Sequence, residues 1–208
     1  MNPAGADSVG KGPGIPAGAP KSVPRPAVPI VNPANGVTVL RILLVPVFGW
    51  MLLQPGLGWR LGALAVFLLA SLTDHVDGEL ARRRDLITDF GKIADPIADK
   101  ALMGMALVGL SVIGELWWWV TALILAREIG VTLLRFWVIR RGVIAASKGG
   151  KVKTVLQIAA IALFILPFGW TALYVGRDVV MAAAVLVTVG TGVDYLVRAL
   201  RLHRSTEP

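Results

Sequence analysis

From Val37 onward the chain alternates long apolar runs with short polar joints. A helix needs about 20 predominantly apolar residues to cross the hydrocarbon core of a bilayer. Six segments approach that length, at 37–55, 58–75, 94–114, 116–139, 155–175 and 178–200. No two-residue alternation persists along them, so strands are not expected. The pattern predicts six helices, with joints at Pro55-Gly56, Gly114 and Gly176, and with Gly149-Gly150 inside a longer basic loop. Residues 1–30 follow another rule. They hold seven of the thirteen prolines and five glycines, with few large apolar residues. Such a segment cannot bury enough surface to offset its ordering entropy, so it reads as a disordered tail. It also lacks the continuous apolar stretch of a signal peptide. The expected organisation is a tail over 1–30, a membrane domain over 31–202 and a short C-terminal tail over 203–208.

Composition sharpens this picture. Of 208 residues, 55% are hydrophobic and only 16% charged, and the mean hydropathy is +0.70. Soluble domains carry nearer a quarter charged residues, so the fold class is all-α integral membrane with six transmembrane helices. Cysteine is absent, which excludes disulfide scaffolds, thiolate metal sites and cysteine nucleophiles. Lys and Arg number 21 against 13 Asp and Glu. In a chain this apolar, the excess bears on orientation and on anionic lipid or phosphate, and no nucleic-acid partner is expected.

The cations fall on one side of the predicted spans. Lys11, Lys21, Arg25 and Arg41 precede or open the first. Arg82, Arg83, Arg84 and Lys92 lie between the second and third, and Arg140, Arg141, Lys148, Lys151 and Lys153 between the fourth and fifth. Arg198, Arg201 and Arg204 close the chain, whereas the opposite joints contribute only Arg60 and Arg177. The positive-inside bias then puts both termini and both basic loops in the cytoplasm of a multi-pass protein. Trp117, Trp118 and Trp119, beside Glu115, suit the opposite interface, where indole prefers the headgroup level.

Seven of the thirteen acidic residues crowd into 74–99: Asp74, Asp77, Glu79, Asp85, Asp89, Asp95 and Asp99. Asp74 and Asp77 are three residues apart, Asp95 and Asp99 four, so each pair shares a helix face. One pair ends the second span and the other begins the third. An antiparallel helix pair would gather all four carboxylates at the cytoplasmic end, where they would repel unless protonated or neutralised. Hard divalent cations such as Mg²⁺ or Mn²⁺ are the natural neutraliser of carboxylate oxygen, and no His or Cys cluster competes for the role. Gly78 removes a side chain from the helix beside Asp77, which makes sense where a ligand approaches the backbone. Ala81 is likewise small, and Arg82 offers a planar fork to phosphate oxygens. Glu79, Asp85 and Asp89 read instead as solvated helix ends, and His75, between the aspartates in sequence, points away from both pairs.

The pattern Asp74-x2-Asp77-Gly78-x2-Ala81-Arg82-x8-Gly91-x3-Asp95-x3-Asp99 resembles, without a departure, the signature of the CDP-alcohol phosphatidyltransferase family. The resemblance covers about residues 31–202. It implies six transmembrane helices, a cytoplasmic-side active site, a homodimer, and transfer of a phosphatidyl group from a CDP-linked lipid to an alcohol with release of CMP. It further implies two divalent metals per site on Asp74, Asp77, Asp95 and Asp99, with Asp99 doubling as the base that deprotonates the incoming hydroxyl. Gly78, Ala81 and Arg82 would line the site for CDP-diacylglycerol, with Thr88 contacting it. Asn35, Gly36, Val37 and Thr38 look like the family's N-terminal segment that borders the nucleotide, here with Ala34-Asn35 after Pro33 where Pro-Asn is usual.

The acceptor is argued from other residues. Arg127, Glu128 and Arg135 lie in the fourth span, where charge is costly and is expected to face a polar interior. Arg127 and Glu128 point about 100° apart on a helix, so no simple local pair is expected between them. Lys148, Lys151 and Lys153 populate a loop rich in small residues, suited to a second phosphate or to anionic lipid. Asp194 is expected to pair with Arg135 or Arg198. Arg127-Glu128-x6-Arg135, with Ala145-Ala146-Ser147-x3-Lys151-x-Lys153-Thr154-x2-Gln157, resembles the bacterial phosphatidylglycerophosphate synthase branch of the family. That resemblance implies sn-glycerol 3-phosphate as acceptor, in the plasma membrane of a bacterium, with Arg127, Arg135, Lys148, Lys151 and Lys153 as candidate phosphate ligands. Cardiolipin or phosphatidylinositol-phosphate synthesis would use the same signature. A divalent-cation transporter is the rival of another class, but the acidic pattern is not repeated and lies at the span ends, not at the midplane.

Overall fold

The structure, a computed structural model, describes residues 33–83, 88–138 and 148–204, without the side chains of 33–34, 74–83, 89–90, 92, 135–138, 148–149 and 202–204. The tail over 1–30, most of the basic loop over 140–147 and the last four residues lie outside the described residues. Six helices make up the described chain: α1 Pro33–Leu53, α2 Leu57–Arg83, α3 Asp89–Val112, α4 Trp118–Val138, α5 Lys148–Ile165 and α6 Thr171–Arg204.

Two of the expected joints form as their chemistry requires. Gly56 (φ 113°) turns the chain from α1 into α2, and Gly114 (φ 78°) ends α3, a left-handed conformation that glycine adopts without Cβ strain. At the latter, Glu115 N–H and Leu116 N–H both close back on the Leu110 carbonyl, at 3.0 and 3.2 Å. The third joint is not at Gly176, which lies within α6. The chain breaks at 166–170 instead. Pro167 is the reason, since it lacks an amide hydrogen and pushes Leu166 out of the helical region. The Gly149-Gly150 pair, expected in a loop, sits in the first turn of α5, so Lys151 and Lys153 project from a helix.

The helices form a closed ring. α1 packs on α2, α2 on α5, α5 on α6, α6 on α4, α4 on α3, and α3 back on α1, with α3 also touching α2 and α5 across the ring. Phe48 and Leu52 of α1, Phe67 of α2, Leu102, Ala106 and Leu110 of α3, Ile124 of α4, and Ile161 and Phe164 of α5 fill its centre. The outward faces are also apolar. Leu43, Leu69, Ile97, Leu133 and Leu186 are each more than half exposed, as lipid-facing side chains must be and as soluble domains avoid. Among the described residues, two helices are long and apolar enough to cross a membrane, over Asn35–Leu53 and Thr171–Arg201. The polar residues of α3, α4 and α5 lower the mean hydropathy of those helices, and they are the residues that build the site.

The end of the ring away from the acidic signature is marked by aromatic and ionic residues. Trp50 and Trp59 meet edge to face at 4.9 Å, and Trp117, Trp118, Trp119 and Trp170 are exposed nearby along the chain's joints. Glu115 accepts from Arg60 Nη2 at 2.6 Å and from Arg177 Nη1 at 2.8 Å, tying α2 and α6 to the α3–α4 joint. Arg177 also lies 4.5 Å from the centroids of both Phe164 and Tyr174. Burial alone would raise the Glu115 carboxyl. Hydrogen bonds from Arg177 and Arg60, with their charges, outweigh it and hold the group below the ordinary carboxylate range.

Candidate active site

The site end of the ring is organised around the start of α3. Thr88 is the N-cap of that helix, with an extended backbone (φ −103°, ψ 157°) and a hydroxyl that accepts from the Gly91 amide at 3.1 Å. The same hydroxyl donates to Asn35 Oδ1 at 2.7 Å, joining the first turn of α1 to the cap of α3. One turn further along α1 and two turns into α3, Thr38 donates to Asp95. Asn35 and Thr38 are buried at 6% and 3% exposure, so this seam between α1 and α3 is closed to solvent. Gly36 and Val37, on the same turn of α1, are exposed and half-buried. Gly91 sits inside the seam. A Cβ built there would lie 3.0 Å from Asn35 Oδ1, 3.3 Å from Thr88 Oγ1 and 3.7 Å from Asp95 Oδ2.

The structure thus brings Asn35, Thr38, Thr88 and Asp95 together, and Asp99 follows Asp95 by one turn on α3. Asp74, Asp77, Gly78, Ala81 and Arg82 occupy the last three turns of α2, which packs against α3. Their side chains lie outside the description, and so does the four-carboxylate convergence expected from the sequence. Among the described residues no group of three or more His, Cys, Asp or Glu side chains converges. What is described fits a hard cation. The polar side chains along the seam present oxygen, the donor type that a hard cation prefers.

Asp99 and Lys100 open onto a cavity of about 200 Å³ between α3, α4 and α5. Its floor is apolar, formed by Leu107, Ile124, Leu125 and Ile161, and its polar groups include Glu128, Lys153, Thr154 and Gln157. α4 and α5 are not a packed pair, and across this gap the Lys153 ammonium donates to Glu128 Oε1. Lys100 donates to Thr132, whose hydroxyl donates in turn to the Glu128 carbonyl at 2.7 Å. A carboxylate, an ammonium and an apolar floor can hold a small polyol phosphate with one hydroxyl against a base.

The other sequence-selected cations are placed differently. Lys151 is exposed, two residues from Lys153 and so on another face of α5. Arg127 turns away from the cavity. Its Nε donates to the Thr188 carbonyl at 3.1 Å and its Nη2 to Thr191 at 2.8 Å, both on α6. Its Nη1 also reaches Glu128 Oε1 at 3.1 Å. The local pair judged unfavourable from helix geometry therefore forms, because the long arginine stem is bent back by its anchorage on α6. Gly192 makes room for that stem, with a would-be Cβ only 3.1 Å from Arg127 Cγ. Arg135 is on α4 and Lys148 opens α5, with their side chains outside the description. Asp194 pairs with Arg198 at 3.0 Å, one turn apart on α6.

Three of the cavity's polar groups, Gln157, Lys100 and Glu128, have no role legible in the sequence beyond the cost of the Glu128 charge within a span. Gln157 has a local signal, being four residues from Lys153 on one helix face. Nothing in the sequence alone places Glu128 opposite Lys153.

Comparison with known proteins identifies the family. The family model described as CDP-alcohol phosphatidyltransferase matches residues 31–190. A protein of Mycobacterium tuberculosis named probable phosphatidylglycerophosphate synthase is 56% identical over 175 residues, covering 83% of each chain. A Bacillus subtilis protein named CDP-diacylglycerol–glycerol-3-phosphate 3-phosphatidyltransferase is 36% identical over 181 residues, covering 79% of this chain and 93% of its own length. A Shigella flexneri protein of the same name is 38% identical over 169 residues, covering 77% and 90%. With the signature Asp74–Asp99 intact and the family model spanning all but the ends, this chain belongs to the CDP-alcohol phosphatidyltransferase family.

Proposed function

We propose that this enzyme transfers the phosphatidyl group of CDP-diacylglycerol to sn-glycerol 3-phosphate, forming phosphatidylglycerophosphate and CMP in phospholipid biosynthesis. The carrying observation is the position of Asp99. It follows Asp95 of the family signature by one turn and lines the cavity that also holds Lys153. The 1-hydroxyl of the acceptor attacks the lipid-bearing phosphorus. The new O–P bond forms as the bond to CMP breaks, and Asp99 takes the hydroxyl proton. Lys153 receives the acceptor's phosphate, presented by Glu128. Asn35, Gly36, Val37, Thr38, Gly78, Ala81, Arg82 and Thr88 border the CDP-lipid, with Thr88 acting through Asn35, because its hydroxyl already caps α3 and donates to that amide. Asp74, Asp77, Asp95 and Asp99 would hold two divalent cations, Mg²⁺ or Mn²⁺, which supply charge neutralisation at the nonbridging and leaving oxygens.

In this reading all six helices cross the plasma membrane of a bacterium, with the site end cytoplasmic, and two copies form a homodimer. Apolar outward faces on the helices, the basic clusters at one end and exposed tryptophans at the other support it. The test is CMP release by purified protein in detergent with CDP-diacylglycerol and Mg²⁺, given glycerol 3-phosphate, inositol phosphate or phosphatidylglycerol in parallel. Release with glycerol 3-phosphate alone is expected. Release with another acceptor alone would overturn the acceptor assignment while leaving the family intact.

A further inference from the structure

The cavity beside Asp99 contains one polar group with no use so far. Gln157 is buried to 5% exposure as a whole residue and lines the cavity; among the described residues its side-chain amide has no hydrogen bond, and its polar atoms are not among the fully buried ones, so they open onto the cavity. Polar side chains that face a cavity are satisfied there by water or by a ligand. On α5 the neighbours of Gln157 one turn away are Lys153, whose ammonium donates to Glu128 and keeps further N–H groups for a ligand, and the apolar Ile161. An amide that opens onto the cavity beside Asp99 and Lys153 is placed to recognise a ligand in exchange for water.

The chemistry of the amide narrows that partner. It donates through Nε2 and accepts through Oε1, and among the groups of the acceptor and the lipid an alcohol hydroxyl is the one that can answer both at once. A phosphate oxygen only accepts, and an ester carbonyl of the lipid only accepts. We infer that Gln157 is a specificity-determining residue that binds the secondary hydroxyl of the acceptor, its Oε1 accepting the hydroxyl proton and its Nε2 donating to the hydroxyl oxygen. This rests on the proposed function. The three groups of the acceptor then each have a counterpart around one cavity: Asp99 for the reacting primary hydroxyl, Lys153 for the phosphate and Gln157 for the hydroxyl between them. A site that hydrogen-bonds a substrate hydroxyl rejects the analogue lacking it, because its own buried group is then left unpaired.

The experiment compares glycerol 3-phosphate with 3-hydroxypropyl phosphate, which keeps the reacting hydroxyl and the phosphate and lacks the secondary hydroxyl. Full-length protein in detergent is assayed for CMP release with CDP-diacylglycerol and Mg²⁺. Wild type is expected to favour glycerol 3-phosphate by about 10- to 100-fold in kcat/KM, the range for leaving a buried polar group unsatisfied. In Gln157→Met, which keeps length and removes both hydrogen-bonding atoms, the preference falls to within about 3-fold and the KM for CDP-diacylglycerol stays unchanged. If the methionine variant does not fold, Gln157→Asn decides the matter, since it keeps an amide but withdraws it from the hydroxyl by one methylene, and its preference must fall. Equal use of both acceptors by wild type overturns the inference. So does a variant that loses activity equally with both, as a purely structural glutamine would. A raised KM for CDP-diacylglycerol with the acceptor preference retained would assign the amide to the lipid instead. Wild-type turnover with some other acceptor and none with glycerol 3-phosphate would refute the proposed function itself, before any variant is compared.

Discussion

Replacing Gly91 with alanine adds one methyl group at the most crowded point of the site. The new carbon would lie 3.0 Å from Asn35 Oδ1 and 3.3 Å from Thr88 Oγ1, both closer than ordinary van der Waals contact. Neither neighbour is free to yield. The Asn35 amide is buried and accepts from Thr88 at 2.7 Å, while Thr88 caps α3. Overpacking of this kind costs about 1–3 kcal/mol, and loss of the cap bond would add about 1 kcal/mol. The better helix propensity of alanine offsets at most about 1 kcal/mol, and less in the first turn. A net loss of about 1–3 kcal/mol follows, which for a chain of this size lowers Tm by about 2–12 °C. The displaced seam carries Asp95 with it, so kcat should fall by about 10- to 100-fold, as small misplacements of reacting groups do. Thermal unfolding in detergent and CMP release would be measured on the same preparation. Gly176→Ala is the control, because no atom lies within 4 Å of its would-be Cβ and it sits at the far end of α6. It should leave activity intact and raise stability slightly. A Gly91→Ala protein with wild-type Tm and turnover would refute the steric reasoning, and with it the closeness of α1 to the α3 cap.

Asp99→Asn should reduce kcat by about 10²–10⁴-fold, the usual contribution of a positioned base, while the protein still folds; turnover near wild type would remove the assigned base. Lys153→Met should raise the KM for the acceptor by about tenfold or more, as loss of a charged hydrogen bond does, and leave the KM for CDP-diacylglycerol alone. Equal changes in both constants would argue against a phosphate role. At the opposite end, the carboxyl of Glu115 is held below its ordinary value of 4.5. A depressed carboxyl stabilises the fold above its unfolded value and loses that contribution as pH falls through the folded value. Wild-type Tm should therefore decline below about pH 4.5 more steeply than that of Glu115→Gln, which has no such proton to bind. Parallel pH profiles would sink that account.

The sequence by itself determined the elements and the chemistry. Apolar runs of the right length become helices wherever they occur, and the left-handed turns at Gly56 and Gly114 follow from local backbone freedom. The spacing of Asp74, Asp77, Asp95 and Asp99 was legible because helical periodicity is a property of the chain. Even the miss at the α5–α6 joint was local. Pro167 outweighs Gly176, since a proline removes a helical hydrogen bond whereas a glycine merely weakens the helix. Tertiary structure alone decided which charges share a cavity. Lys153 meets Glu128 across 25 residues, Arg127 is drawn to Thr191 across 64, and Thr88 reaches Asn35 across 53. Lys151 and Lys153 are alike in sequence, and only the direction in which α5 faces α3 and α4 separates an exposed lysine from one beside Asp99. The same packing put Gln157 in the cavity wall, because which helices close around a side chain is settled by the ring as a whole and not by the residues next to it.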